Sequence, residues 1–305
     1  MKIEFIKVKI YVIAIVSSFL AIVLNFLLKK YLLDISGLFL VLSLGLLHGA
    51  NDLSLIKKIK LNNSQKITSY TLVYLSLVLL VLGAFYFIPV IILVAFILIS
   101  AYHFGEQHLQ MNRKFTKPLF KFIYFTFGLS ILIGLFFFNS ASTSEIISDI
   151  TNYSIPAYFY QYALFFALTL LMISFLLVLL RNELKLIFVL KKIFDLVLVF
   201  SVFYFSELLF GFAIYFVFWH TLPSLNDQIK FLYGENSKAT WLTYLKKSLP
   251  IWLISILGLF LLYYLFGNDN LYLSIMFAFI AAVTFPHVIV IERMFEKYNS
   301  KNLNQ

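Results

Sequence analysis

Ten apolar runs of about twenty residues each recur along this chain of 305 residues, and no other feature constrains the fold as much. They lie near 9–28, 35–56, 68–87, 89–110, 118–138, 157–180, 187–205, 208–226, 249–267 and 271–292. A hydrocarbon layer about 30 Å thick is crossed by about 20 residues of α-helix. Inside it no water satisfies backbone N–H and C=O groups, so each run must satisfy its own by coiling. The fold class expected is all-α: a polytopic transmembrane helix bundle of ten spans, forming a single integral membrane domain over 1–305. Composition agrees. The chain is 62% hydrophobic and 12% charged, against roughly 45–50% and about 25% in soluble globules. That excludes a soluble enzyme, a disordered chain and a conventional nucleic-acid binder. Cys is absent, which excludes disulfides and thiolate metal ligands.

The net charge of +10 reports orientation before it reports a partner. With ten spans, all but two of the 24 Lys and Arg fall on one side of the membrane, the exceptions being Lys29 and Lys30. The positive-inside rule puts that side, with both termini, in the cytoplasm. The seventh run carries Lys191, Lys192 and Asp195 near its start, so it begins later or lies partly in the interface. The first is too long for a leader core and is expected to be a retained anchor. Between Asn139 and Pro156 no basic residue occurs, and Ser140 to Ser144 is expected to be a surface loop.

All five histidines lie in or beside apolar runs: His48 late in the second, His103 and His108 late in the fourth, His220 late in the eighth, His287 late in the tenth. Even-numbered spans run towards the cytoplasm, so all five share one half of the bilayer. His48, His103, His220 and His287 lie six to ten residues before Lys57, Arg113, Lys230 and Arg293, roughly 9–15 Å inside the basic boundary. His108 is shallower. One histidine at such a depth is equally well an interfacial polar residue satisfied by backbone or water. Four helices delivering imidazoles to one layer are better explained by a common partner. A metal is the natural one, since neutral imidazole suits Fe, Zn and Cu and helix bundles build such sites from facing helices.

Ligand histidines need an acceptor on their second nitrogen. Asp52 is four residues after His48 and Glu106 three after His103, positions that share a helix face. Either carboxylate can orient a ligand directly or across a helix interface; either can equally be solvated or paired with a loop Lys. Pro223 should bend or end its helix, and Pro286 removes the bond to the carbonyl of Ala282. Gly49 and Gly105 allow close helix approach. Tyr102, Phe104, Tyr215, Phe216, Trp219 and Phe285 surround the histidines in sequence and could line an apolar tunnel, although as packing residues they need no such role.

At four segments the chain resembles the Brp/Blh family of membrane β-carotene 15,15′-dioxygenases. These are His48-Gly49-Ala50-Asn51-Asp52-Leu53, Tyr102-His103-Phe104-Gly105-Glu106, Trp219-His220 and Pro286-His287. The resemblance implies a membrane enzyme that uses non-haem Fe(II) and O2 to split the central double bond of β-carotene into two retinal. It also implies β-carotene, O2 and membrane lipid as partners, with a retinal-accepting protein downstream, and places the chain in a cell membrane, the inner one in bacteria. Many relatives carry a second His four residues after the Trp-His position, where this chain has Ser224. His287 is expected to complete the set of His48, His103 and His220, because it shares the deep layer and comes from a fourth helix. His108 is set about 140° around the helix from His103. Asp52, Glu106, His108 and Ser224 are expected behind the ligands or as replacements for one of them.

Two rivals remain open on sequence grounds. A di-iron lipid oxidase needs more histidines, clustered in cytosolic loops. A transporter using histidines to relay protons would carry charges at the bilayer centre, where the runs here are nearly charge-free.

Overall fold

The computed structural model describes residues 2–60, 67–109, 118–266 and 271–303. Among them there is no strand. Thirteen α-helices follow one another: α1 (Lys2–Leu27), α2 (Lys30–Leu40), α3 (Asp52–Ile59), α4 (Ile67–Phe87), α5 (Pro89–Leu109), α6 (Pro118–Phe138), α7 (Ser140–Thr151), α8 (Ala157–Leu180), α9 (Leu186–Phe205), α10 (Leu208–Ile214), α11 (Leu222–Tyr233), α12 (Lys238–Phe266) and α13 (Tyr272–Leu303). Two π-helical turns interrupt them, Val41–Gly45 and Tyr215–Thr221. Lys66, Arg113, Lys114 and Lys117, which mark loops in the charge argument, lie outside the described residues.

Among the described residues, eight helices are long and apolar enough to cross a membrane: Ile6–Leu27, Ser69–Phe87, Pro89–Leu109, Pro118–Phe138, Ala157–Leu180, Leu208–Tyr233, Lys238–Phe266 and Leu273–Tyr298. The expected runs outside this set are the second and the seventh. The second is broken into α2, the first π turn, a turn over His48–Asn51 and the short α3, so no single piece of it is long enough to span. The seventh is one helix, α9, that starts at Leu186 and carries Lys191, Lys192 and Asp195 inside it.

The segment expected as a loop at Ser140–Ser144 is the first turn of α7, which corrects that expectation. The Ser144 hydroxyl donates to the Ile155 carbonyl at 2.8 Å, and Ile146 and Ile147 are buried. A Ser/Thr-rich stretch reads as loop because these side chains compete for backbone groups. Here the apolar residues one turn on give the helix a face to bury.

Contacts divide the chain into two compact units. The first comprises Met1–Val41, Ile97–Ser148 and Tyr153–Pro223. Within it, α6 packs on α8, and α5 and α6 touch through their backbones. A Cβ on Gly105 would fall on the Tyr124 carbonyl, and one on Gly128 on the Ala101 carbonyl, so only glycine fits at either place. α1 is tied down by polar bonds. Tyr11 Oη donates to Asp195 on α9 at 2.6 Å, the Trp219 indole to Ser18 Oγ at 2.9 Å, and Asn25 Nδ2 to Ser206 Oγ at 2.8 Å.

The second unit comprises Leu42–Phe96, Asp149–Asn152 and Ser224–Gln305. One apolar cluster joins α4 to α13 through Val78, Val81, Phe85, Ala281 and Ala282. Another joins α3, α11 and α13 through Leu55, Phe231, Ile291 and Met294. Lys297 caps the C-terminus of α3 by donating to the Lys58 and Ile59 carbonyls at 3.0 and 2.5 Å. A cation at a helix C-terminus meets both unpaired carbonyls and the negative end of the helix dipole.

Candidate functional site

In the second unit, His48 opens the turn that breaks the second apolar run, and His287 sits on α13 directly after Pro286. Both rings are buried, with centroids 4.7 Å apart and planes at 87°. His48 Nδ1 bonds to the Gly45 carbonyl. A carbonyl only accepts, so the proton is on Nδ1 and the lone pair is on Nε2. His287 Nδ1 faces both oxygens of Asp52, at 2.9 and 3.0 Å, and donates to the carboxylate. Tyr74, on α4, donates to Asp52 Oδ2 at 2.8 Å. A fully buried carboxylate is costly unless donors surround it; here an imidazole and a phenol supply them. Asp52, expected beside His48, bonds across a helix interface to His287. Gly49 is no close-approach point: a Cβ there would meet nothing nearer than 3.8 Å.

In the first unit, His103 on α5 and His220 in the second π turn form a similar buried pair, 4.8 Å apart at 72°. Pro223 accounts for the π turn, because it has no N–H to offer the Trp219 carbonyl one helical turn back. Phe216 stacks on His220 at 5.5 Å and 10°, and Phe104 lies against the same ring at 4.6 Å. Phe104 also touches Tyr215 and Phe216. Of the aromatic residues expected near the site, Phe104 and Phe216 lie against this pair and Tyr215 touches Phe104; three lie elsewhere, Trp219 against His108. Tyr102 meets Tyr124 edge-on at 6.2 Å, and Phe285 packs into the α4–α13 cluster. Glu106 is half-buried on α5.

His108 keeps different company. Its ring stacks on Trp219 at 5.0 Å and 2°, and on Tyr215 at 6.0 Å and 13°. Its Nε2 is 3.5 Å from Asp195 Oδ2. Lys192 Nζ, 3.0 Å from that same oxygen, also donates to the His108 carbonyl at 3.1 Å. Ser224 is buried in the second unit, where its Oγ lies 3.2 Å from Gln228 Nε2. Sequence reasoning missed Tyr74 and the tie between Asp195 and His108. Neither is within four residues of its histidine or carboxylate partner, so no helical spacing marks them.

Among the described residues no group of three or more His and carboxylate side chains is placed to hold a metal ion. The donor chemistry within each pair nevertheless suits one. The rings are buried and close together, and in the second unit both Nδ1 atoms face acceptors, as the second nitrogen of a metal-binding histidine does. No curated protein and no solved structure matches the chain. The family model for beta-carotene 15,15′-dioxygenase matches residues 39–295, a stretch that contains every one of these histidines. On that match, over most of its length and all of its histidine segments, the chain belongs to the beta-carotene 15,15′-dioxygenase family of the Brp/Blh type.

Proposed function

We propose that this protein cleaves the central 15,15′ double bond of β-carotene with O2, giving two molecules of retinal. The balance is simple: the C40 alkene and one O2 become two C20 aldehydes, each taking one oxygen atom. The observation that carries the reading is the pair of buried imidazoles of His48 and His287, each with Nδ1 against an acceptor, inside the family-matched segment. Fe(II) is the proposed metal, and His48, His103, His220 and His287 are its proposed ligands. When bound, iron between neutral imidazoles keeps its positive charge and supplies a place for O2 beside an alkene.

The chain's own residues do the rest. Asp52 fixes the ring of His287 and is itself held by Tyr74, so the imidazole cannot turn its other nitrogen inward. Gly45 does the same for His48. Phe104, Tyr215 and Phe216 make an apolar aromatic surround at His220, suited to a conjugated hydrocarbon. His108 is left out of the ligand set because its Nε2 already faces Asp195. β-Carotene is soluble only in lipid and is roughly as long as the hydrocarbon core is thick. We take the chain as a multi-pass protein of the cell membrane, the inner one in bacteria, with ten spans and both termini in the cytoplasm.

Expression in cells that accumulate β-carotene tests the reaction. Orange colour should fade and retinal should appear in the extracted pigment. Unchanged pigment with folded protein in the membrane would overturn the enzyme reading. Longer apocarotenals in place of retinal would overturn cleavage at the central bond.

A further inference from the structure

The second unit contains an interrupted helix whose freed carbonyls need partners. An α-helix in lipid satisfies its own backbone; where it gives way to a π turn and a non-helical turn, carbonyls are open to other donors, and any group left unpaired in hydrocarbon costs several kcal/mol. One element, α12, supplies what is missing. Trp252 Nε1 donates to the Leu42 carbonyl in the π turn at 2.7 Å. Two turns earlier on α12, Tyr244 Oη lies 3.3 Å from the His48 carbonyl. The side chain of Asn51, at the end of the same turn, donates back to the Tyr244 carbonyl at 3.1 Å. Tyr244 and the His48–Asn51 turn thus hold each other from both sides, and Tyr244 and Asn51 are both buried.

The donors of this network can be counted. A phenol has one proton, and two carbonyl oxygens face it: His48 O, and Gln228 Oε1 at 2.7 Å. The Gln228 amide also reaches Ser224 Oγ, at 3.2 Å. Oxygen and nitrogen of an amide exchange places by a half-turn. With the Gln228 amide turned over, Ser224 O–H donates to Gln228, the Gln228 NH2 donates to Tyr244 Oη, and the phenol proton goes to His48. Both hydroxyl protons then have acceptors and one Gln228 N–H is placed on Tyr244 Oη, in a buried place where an unmade hydrogen bond is expensive.

We propose that Tyr244 is a positioning residue that fixes the His48 turn, with Ser224 and Gln228 setting the direction of its hydroxyl. Its catalytic consequence rests on the reading of His48 as an iron ligand. The test uses the full-length protein in lipid nanodiscs, with hydrogen–deuterium exchange over residues 46–52 and Fe(II) affinity measured on wild type, Tyr244→Phe and His48→Ala. Tyr244→Phe should raise exchange over 46–52 about 10-fold and leave α6 unchanged. It should lower Fe(II) affinity by about 10-fold or more, the usual cost of losing a group behind a ligand, and excess Fe(II) should restore its activity. His48→Ala should lose the iron with no rescue. Unchanged exchange over 46–52 in Tyr244→Phe overturns the proposal, as does exchange raised equally throughout the chain. If His48→Ala keeps its iron, the ligand reading falls, while the exchange data still decide whether Tyr244 holds the turn.

Discussion

Asp52 shows how much one side chain does. It accepts from His287 Nδ1 through both oxygens and from the Tyr74 hydroxyl through one, and it is almost wholly buried. Asparagine at this place has one acceptor oxygen where the carboxylate has two, and no charge to raise the basicity of the ring. Asp52→Asn should therefore lower Fe(II) affinity and cleavage by about 10–100-fold while the protein stays folded. Metal titration of the purified variant checks this, and an unchanged affinity would remove Asp52 from the site. The sequence placed Asp52 one turn from His48, the ring it was expected to orient. The chain folds so that the partner is 235 positions away, a distance no local spacing encodes. Tyr74 and Tyr244 were illegible for the same reason: in a chain with 19 tyrosines, nothing marks the ones that meet Asp52 and the His48 turn.

At the scale of elements, the two π turns carry His220 and lead into His48, so each interruption sits beside a proposed ligand. Pro223 made the second legible in advance. The first has no proline; its Leu42 carbonyl accepts from Trp252 on α12. Glycines divide likewise. Gly105 and Gly49 look alike in sequence, each near a histidine, yet a Cβ at Gly105 strikes the Tyr124 backbone and one at Gly49 meets ordinary contacts. Backbone cannot move aside as a flexible side chain does. Gly105→Ala should cost at least about 1–3 kcal/mol or prevent the close α5–α6 contact; Gly49→Ala should cost well under that. Thermal unfolding of the two variants in the same detergent measures the difference, and equal midpoints would contradict the packing described.

For the whole molecule, the distribution of basic residues makes a topological commitment. Reporter fusions after Gln305 and within Lys57–Lys66 should report cytoplasm, and a fusion within Ser140–Ser148 the opposite side. Agreement between the last two would remove the shared histidine depth on which the ligand set was first argued. The sequence by itself determined that the chain is helical and membrane-embedded, because long apolar runs leave the backbone no other way to satisfy itself in lipid. It also determined which side chains can carry chemistry, because a few histidines stand out in a chain that is 62% hydrophobic. Only the tertiary structure decided which imidazoles pair, that Nδ1 of His48 and of His287 faces an acceptor, and that Trp252 and Tyr244 of α12 reach the carbonyls of the broken helix. Those outcomes depend on single hydrogen bonds between residues far apart in the chain, and hydrophobic periodicity carries no information about them.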